Sequence, residues 1–201
     1  MDSRLLTAGM TSINNMKRVF DLFLSLVLLL AVSFPMLLIS LLIKTTSKGP
    51  VFHVSDRIGV ENKIFRMYKF RTMQVGTPPV ATHLLQNPDN FLTPVGRFLR
   101  KTSLDELPQL FNIFKGDMRF VGPRPALYNQ YDLIELRTMK GIHHLTPGLT
   151  GLAQINGRDE LSIPVKVEYD EYYLRHQSLQ LDLRIVLTTF LKVLKSEGVH
   201  Y

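Results

Sequence analysis

An apolar block near the N-terminus constrains this chain more than any other feature of its sequence. Between Val19 and Ile43, the only residues that are not hydrophobic are Asp21, Ser25, Ser33, Pro35 and Ser40. A run of roughly 25 apolar residues is long enough for a helix to cross the hydrocarbon core of a bilayer. A cleaved signal peptide would have a shorter apolar region followed by a small-residue cleavage site, and neither is present. The block therefore predicts a membrane helix, followed by a mixed domain.

The sequence leaves two placements open for this helix. Basic residues mark the cytoplasmic end of a membrane segment, and here they stand at both ends, as Lys17 and Arg18 before it and Lys44 after it. That pattern fits a re-entrant segment, which enters and leaves by the same face. Pro35 would bend the helix because proline lacks a backbone donor, and Ser33 could bond a freed carbonyl. A kinked single span fits the same residues.

Charge and composition narrow the possible partners without choosing among them. The formal net charge is +7 and the pI is near 9.7, which suits nucleic acid, an anionic membrane surface or a phosphorylated small molecule. The absence of cysteine excludes disulfides and thiolate chemistry. Because the six histidines do not show the spacing of metal ligands, no structural zinc site is expected.

Periodicity predicts an α+β fold that is mostly helical. Residues 51–54 and 63–70 alternate as strands of a small β-hairpin. Residues 104–114 are predicted to be helical, with Ser103 and Glu106 forming a capping box. Two last helices are expected over 165–176 and 181–194. The second carries a leucine stripe that suits either core packing or an amphipathic helix at the lipid interface.

Two adjacent carboxylates, Asp105 and Glu106, are the first candidate for chemistry. An isolated acidic pair at a helix start is usually explained by the helix dipole. Here, however, basic residues crowd the same stretch, namely Arg97, Arg100, Lys101, Lys115, Arg119 and Arg124. Acids among bases suit a site that binds phosphate together with Mg²⁺. A carboxylate can also attack phosphorus and form a covalent intermediate.

Other candidates depend more on their context. Pro123 and Pro125 fix the backbone on both sides of Arg124, whose guanidinium could make two-pronged phosphate contacts; a solvated surface turn is the alternative. Lys69 fits a phosphate site or a solvated strand face. Arg158 follows Asn-Gly and by itself indicates only a turn. Asp170 could contact a metal or a ribose, although an exposed acidic helix face is more usual.

Taken together, these stretches resemble the monotopic phosphoglycosyl transferases, a bacterial sugar transferase family that initiates glycan assembly. The match runs from Lys17 to about Leu194, nearly the whole chain. Five motifs in family-like order carry it: YKFRTM at 68–73, TSLDELPQL at 102–110, KGDM at 115–118, VGPRP at 121–125 and PGLTGLAQINGR at 147–158.

The resemblance implies a reaction and roles for individual residues. Asp105 would be the nucleophile that attacks the sugar-linked phosphate of a UDP-sugar and displaces UMP. The phosphosugar would then pass to polyprenol phosphate, such as undecaprenyl phosphate, giving a polyprenol diphosphate sugar. Glu106 would support this step and Mg²⁺ would bind at Asp105. The remaining active-site positions would be Lys69, Arg100, Pro123, Arg124, Pro125, Arg158 and Asp170, with the proline-arginine-proline motif close to the nucleotide.

The resemblance also implies a place in the cell. Residues 1–48 would hold a re-entrant helix broken at Ser33 and Pro35, although the family's serine and proline are adjacent and Phe34 separates them here. Residues 49–201 would form a catalytic domain on the cytoplasmic face of the bacterial inner membrane. Membrane lipid is an expected partner, and nucleic acid is not. Two rival classes are a membrane-anchored binding protein without catalysis and a metal-dependent phosphodiesterase that needs no acceptor.

Overall fold

The computed structural model describes residues 3–78, 87–157 and 160–195. The helices are α1 Ser3–Thr46, α2 Gly96–Lys101, α3 Gln109–Lys115, α4 Tyr131–Met139, α5 Leu152–Ile155, α6 Ile163–Arg175 and α7 Leu179–Lys195. The strands are β1 Phe52–Ile58, β2 Ile64–Phe70, β3 Arg119–Val121 and β4 Gly148–Thr150. This composition confirms the predicted α+β, mostly helical class.

The long apolar helix α1 has one buried face, and its other faces are exposed. Its segment Met16–Thr46 contains an 18-residue stretch with a mean hydropathy of 2.8 and is the one helix in the described residues that is long and apolar enough to cross a membrane. One narrow face is buried against the rest of the chain, at Lys17, Asp21, Ser25, Met36, Ile39 and Ile43. The other sides expose large apolar residues such as Leu30, Phe34 and Leu41. This surface indicates that the protein associates with a membrane.

Both ends of this apolar segment are fastened to the domain. At the N-terminal end, Arg18 donates to the carbonyls of Ile113 (2.6 Å) and Phe114 (2.8 Å) at the end of α3. At the C-terminal end, the Arg71 guanidinium donates to the Ser47 carbonyl at 3.1 Å. The predicted break at Ser33 and Pro35 is not seen, because α1 continues as one helix from Ser3 to Thr46 with Pro35 inside it. The Ser33 hydroxyl donates to the Leu30 carbonyl at 2.8 Å.

The predicted hairpin is confirmed, and its first strand continues four residues further than expected, to Ile58. β1 and β2 pair antiparallel, with His53 opposite Lys69. The buried Asn112 side chain joins this hairpin to α3: its Oδ1 accepts from the Tyr68 amide at 3.0 Å and its Nδ2 donates to the Arg66 carbonyl at 2.6 Å. This contact fixes the strand that carries Lys69 against the helix that follows Glu106.

A short parallel pair, β3 and β4, holds the loop that contains Arg124. Val121 pairs with Thr150, and the two strands meet through glycines that leave no room for a side chain. A Cβ on Gly151 would lie 2.1 Å from the Gly122 carbonyl oxygen. The two glycine-containing motifs seen in the sequence are therefore neighbours in space.

The predicted capping box is wrong. Ser103 has a left-handed backbone (φ 56°) and its side chain makes no capping hydrogen bond. Leu104–Glu106 form a tight 3₁₀ turn, and α3 begins only at Gln109. The reason is Pro108, because a continuous helix from Leu104 would need the backbone N–H that proline lacks. The turn instead buries the side chain of Asp105.

The two last helices agree with the prediction to within two residues at each end, but the leucine stripe of α7 does not pack in the core. Ile185 is fully buried, whereas Leu183, Leu187 and Leu191 are each more than half exposed. The stripe is therefore a second exposed apolar surface, and the core-packing interpretation of these leucines is wrong.

Candidate active site

Asp105 is a buried carboxylate surrounded by cations. Its relative exposure is 8%. Burial raises the pKa of the Asp105 carboxyl, the nearby charge of Glu106 adds to this effect, and Lys69, Arg100 and Arg124 oppose it. Within the described part of the chain, the Asp105 carboxylate forms no hydrogen bond or ion pair. It is therefore free to bind or attack a substrate.

Glu106, by contrast, is engaged by two cations. Its Oε1 lies 2.6 Å from Lys69 Nζ and 3.4 Å from an Arg124 guanidinium nitrogen. Burial lowers the pKa of Lys69, and the carboxylate of Glu106 opposes that shift. The two adjacent acids thus have different surroundings: Glu106 holds a lysine and an arginine in place, and Asp105 has no partner among the described residues.

Arg100 reaches the same region from α2. Its Nε donates to the Thr72 hydroxyl at 2.9 Å, just beyond the end of β2. Burial lowers the pKa of the Arg100 guanidinium, and the Asp105 charge opposes this. Three cations from three separate elements, β2, α2 and the loop after β3, therefore converge on one carboxylate. Such a cluster can neutralise the phosphates of a substrate.

The loop Gly122-Pro-Arg-Pro125 is held by a donor at each of three successive carbonyls. Gly148 N–H donates to Pro123 at 2.9 Å, Arg137 Nη1 to Arg124 at 2.8 Å, and Arg57 Nη1 to Pro125 at 3.3 Å. The prolines alone predicted a stiff loop, and these bonds fix it further. Because Arg124 is one-third exposed and contacts Glu106, it is not the solvated surface turn of the alternative interpretation.

Asp170 is buried instead of lying on an exposed acidic face. Its relative exposure is 1%, and its Oδ2 accepts from Arg137 Nη2 at 2.6 Å and from Nε at 3.0 Å. Burial raises the pKa of the Asp170 carboxyl, and the Arg137 guanidinium opposes this. Asp170 therefore reaches the site through Arg137, which holds the Arg124 carbonyl.

Sequence reasoning missed Arg137 and Asn112, which support the site without belonging to any recognised motif. Both act through long-range contacts, so no local pattern marks them. Of the other candidates, Ser33 and Pro35 lie in α1 and are distant in sequence from Asp105. Arg158 lies outside the described residues.

The structure also brings together three residues that the sequence spacing did not connect. Glu61 Oε1 lies 2.7 Å from His144 Nδ1, Glu61 Oε2 lies 3.9 Å from His143 Nε2, and the three potential ligand atoms lie within 4.8 Å of one another. Hydrogen bonding to His144 lowers the pKa of Glu61. This grouping is mostly exposed and has the geometry of a surface ion pair.

A buried carboxylate among cations, on a domain fastened to a long exposed apolar helix, defines a membrane-associated enzyme that handles phosphorylated substrates. Comparison with known proteins then identifies it: the chain belongs to the bacterial sugar transferase family, whose family model matches residues 12–196. The predicted family and enzyme class, a phosphoglycosyl transferase, are confirmed. The comparisons thereby exclude the non-catalytic binding protein.

Individual relatives cover most of the chain. The uncharacterized sugar transferase EpsL of Bacillus subtilis is 43% identical over 187 residues, 92% of this chain and 90% of that protein. The exopolysaccharide production protein ExoY of Rhizobium meliloti is 41% identical over 200 residues, 90% of this chain and 87% of that protein.

In longer relatives, the region similar to this chain is only a part of the protein. The UDP-glucose:undecaprenyl-phosphate glucose-1-phosphate transferase of Klebsiella pneumoniae is 42% identical over 185 residues, which are 88% of this chain and 39% of that protein. The present chain therefore spans well under half the length of this relative.

Proposed function

We propose that this protein transfers a phosphosugar from a UDP-sugar to polyprenol phosphate, releasing UMP and forming a polyprenol diphosphate sugar. The observation that carries the proposal is the unpaired, buried Asp105 carboxylate among Lys69, Arg100 and Arg124. The name of the Klebsiella relative, with UDP-glucose as donor and undecaprenyl phosphate as acceptor, supports the same type of reaction. The name of ExoY, an exopolysaccharide production protein, supports a role in exopolysaccharide assembly, and we place this role at the first membrane step.

In the first half-reaction, an Asp105 oxygen attacks the phosphorus that carries the sugar. The bond between that phosphorus and the bridging oxygen of UMP breaks, and UMP leaves with the electron pair. Lys69, Arg100 and Arg124 lower the repulsion between the anionic nucleophile and the anionic diphosphate, and they stabilise charge on the leaving group. Glu106 supports the step by fixing Lys69 and Arg124 where the phosphates bind.

In the second half-reaction, an oxygen of polyprenol phosphate attacks the same phosphorus. The bond from phosphorus to Asp105 breaks, the carboxylate is regenerated, and a diphosphate links the sugar to the lipid. Splitting one transfer into two displacements is the general advantage of a covalent intermediate. The raised pKa of Asp105 suits this role, because a desolvated carboxylate is a better nucleophile than a hydrated one.

The donor set fits Mg²⁺, which prefers oxygen ligands and commonly takes one or two carboxylates together with substrate phosphates. Asp105 would hold the ion with the diphosphate of the donor, since Glu106 is already engaged by two cations. Bound there, Mg²⁺ would supply further neutralisation of phosphate charge. The remaining charge neutralisation and orientation come from the positions of the five charged side chains of the site, Lys69, Arg100, Asp105, Glu106 and Arg124.

The same proposal includes a re-entrant, monotopic placement with the catalytic domain on the cytoplasmic face. The buried face of α1 runs from Lys17 to Ile43, about 39 Å of helix, and packs on the domain throughout. If α1 crossed the hydrocarbon core, which is about 30 Å thick, while packed on the domain in this way, the charged active site would also lie in lipid. An α1 that enters and leaves by one face avoids this cost, and its fastening through Arg18 and Arg71 supports that arrangement.

The apolar surface of α7 supports the same placement. Leu183, Leu187 and Leu191 are exposed, and Arg184, Lys192 and Lys195 border the stripe. An amphipathic helix with basic residues at its polar boundary suits an anionic lipid surface. We therefore place α7 in the interface beside the exposed sides of α1.

A single-turnover experiment tests the chemistry. Purified enzyme in detergent is incubated with Mg²⁺ and each of a panel of UDP-sugars, without lipid acceptor. One donor should release about one UMP per active site, and the intact mass should rise by one phosphosugar. Asp105→Asn should abolish both signals, whereas Asp89→Asn, which alters an exposed carboxylate paired with Arg97, should preserve them.

Two outcomes would contradict the covalent mechanism. UMP release only in the presence of both substrates would favour direct attack by the lipid phosphate. Continuous UMP release without any acceptor would favour a phosphodiesterase. Glu106→Gln should retain part of the adduct but turn over slowly, because its role is supporting.

A further inference from the structure

A largely apolar cavity of about 290 Å³ lies beside the proposed active site. Leu28 and Val32 of α1, Leu110 of α3, Leu149 of β4 and Val186 of α7 contribute to its wall. Glu106 lines the same cavity. The space therefore reaches from the membrane-facing helices to the carboxylate that holds Lys69 and Arg124.

One polar side chain in this cavity lacks a partner. Gln154 is 6% exposed, and neither its Nε2 nor its Oε1 has a hydrogen-bond partner among the described residues. Buried amides almost always have partners. Both amide atoms are shielded from solvent, so the Gln154 side chain would turn toward the cavity to meet a ligand there. The amide is also close to the loop of Arg124, because a Cβ on Gly151 would lie 2.7 Å from Gln154 Oε1 and 2.1 Å from the Gly122 carbonyl oxygen.

We propose that this cavity binds the phosphate end of the acceptor lipid: its walls hold the first isoprene units, and the Gln154 amide hydrogen-bonds to the lipid phosphate. This inference rests on the proposed function. A UDP-sugar is polar over its whole length and would leave the apolar walls unmatched. The prenyl chain is the one strongly apolar part of the two substrates. Lys192, which also lines the cavity, adds a positive charge for the same phosphate.

The size of the cavity limits how much of the lipid it holds. Pockets that enclose a drug-sized ligand have volumes of about 300–1,000 Å³, so 290 Å³ suits only a few isoprene units. The rest of a long chain would leave between α1 and α7 and remain in the surrounding bilayer. The acceptor would thus approach Glu106 from the lipid side, while the donor reaches Asp105 from the water side.

A matched pair of substitutions on α7 tests the assignment. Val186→Phe places a ring in the cavity, whereas Leu187→Phe makes the neighbouring change at an outward, 63% exposed position. Val186→Phe should raise the KM for polyprenol phosphate at least tenfold, and Leu187→Phe should leave it within twofold of wild type. The burst of UMP without acceptor, measured on the same samples, reports whether the donor site remains folded. Gln154→Leu, which keeps the shape but removes the amide, should also raise the acceptor KM.

Photo-crosslinking gives a readout that does not need turnover. A prenyl phosphate with a diazirine in its first isoprene units should label peptides that contain Leu149 or Val186. Unlabelled prenyl phosphate should compete, and phosphatidic acid at the same concentration should not. Labelling at least fivefold weaker in Val186→Phe than in Leu187→Phe would support the proposal.

The outcomes separate this inference from the proposed function. If wild type shows the UMP burst but the label attaches elsewhere, or the two α7 variants behave alike, the cavity assignment is wrong and the reaction stands. Equal competition by phosphatidic acid would make the cavity a general lipid site and would also overturn it. Specific labelling in the cavity without UMP release from any donor would support the cavity and contradict the reaction.

Discussion

Asp170 acts on Arg124 through one intermediate residue, Arg137. The Asp170 carboxylate lies 2.6 Å from Arg137 Nη2, and Nη1 of the same guanidinium donates to the Arg124 carbonyl at 2.8 Å. The side chains of Asp170 and Arg137 are 2% and 11% exposed, so water does not compete for these contacts. A residue on α6 thereby positions a loop that belongs to the active site.

Asp170→Asn should therefore reduce both stability and catalysis. Breaking one half of a buried ion pair leaves an uncompensated charge and costs about 3–5 kcal/mol. The loop should also lose its fixed position, so that the KM for the UDP-sugar rises. Thermal unfolding in detergent and donor kinetics measure the two effects. Asp89→Asn, in an exposed pair, should cost about 1 kcal/mol or less; a similar loss in both variants would contradict the positioning role.

Arg124→Lys should lose activity although it keeps the charge. Lysine cannot form a two-pronged contact with phosphate, and removing one charge-stabilising donor typically costs about 10²-fold in turnover. The measurement is the rate of UMP release at saturating lipid. Arg97→Lys on α2, where the Arg97 side chain is 61% exposed, is the matched control and should remain near wild type. If Arg124→Lys turned over at the wild-type rate, Arg124 would have a structural role and would not bind phosphate.

Asp105→Asn should make the protein more stable at alkaline pH while abolishing transfer. Because burial raises the pKa of Asp105 above its ordinary value of 3.8, the folded state favours the protonated carboxyl. The stabilising contribution of this group is therefore present at low pH and is lost as pH rises through the folded pKa. At pH 8 the variant should be more stable than wild type by about 0.5–2 kcal/mol, and the difference should shrink on acidification. Melting curves across pH check this, and an equal or lower Tm at pH 8 would contradict it.

Gly151→Ala should disrupt the pairing of β3 with β4. The new Cβ would lie 2.1 Å from the Gly122 carbonyl oxygen, and backbone atoms cannot move away as a flexible side chain can. Overpacking of this kind costs about 1–3 kcal/mol or more. Gly76→Ala is the control, because no atom of the described residues lies within 4 Å of its Cβ and only its positive φ is strained. Comparable melting temperatures for the two variants would contradict the close approach of the strands.

Cysteine labelling tests the re-entrant placement. The chain has no native cysteine, so Leu5→Cys and Lys48→Cys each give one reactive site. Both should react with a membrane-impermeant maleimide in inside-out vesicles and neither in intact spheroplasts. Labelling of either site from the periplasmic side would show a span. Pro35→Ala should shift the helix toward spanning, because it restores the backbone donor that proline lacks.

Local patterns predicted most of the fold. Alternation marked the hairpin, and 3.6-residue periodicity marked α6 and α7, because these signals depend on residues close in sequence. They could not say which way the leucine stripe of α7 faces, since core and lipid select the same residues. The capping box failed for a local reason, the missing donor of Pro108, whose effect on the preceding turn outweighed the motif.

The candidate site was predictable only in part. The proximity of Lys69, Glu106 and Arg124 followed from resemblance, because 37 residues separate the first two and no periodicity spans that distance. Arg137 was not recognised at all, and Gln154 lies in the 147–158 motif but was given no role. One acts through a buried pair with Asp170, and the other is distinguished only by lacking a partner, a property that requires coordinates.

The packing of α1 has a practical consequence for obtaining this enzyme in water. Met36, Ile39 and Ile43 share a hydrophobic cluster with Phe70 and Leu99, and Leu28, Leu29 and Val32 pack on a second cluster. A fragment starting after the helix would expose both clusters and should aggregate. Solubility is better sought by replacing outward residues such as Leu30, Leu37 and Leu41 with polar ones, because these positions face away from both clusters.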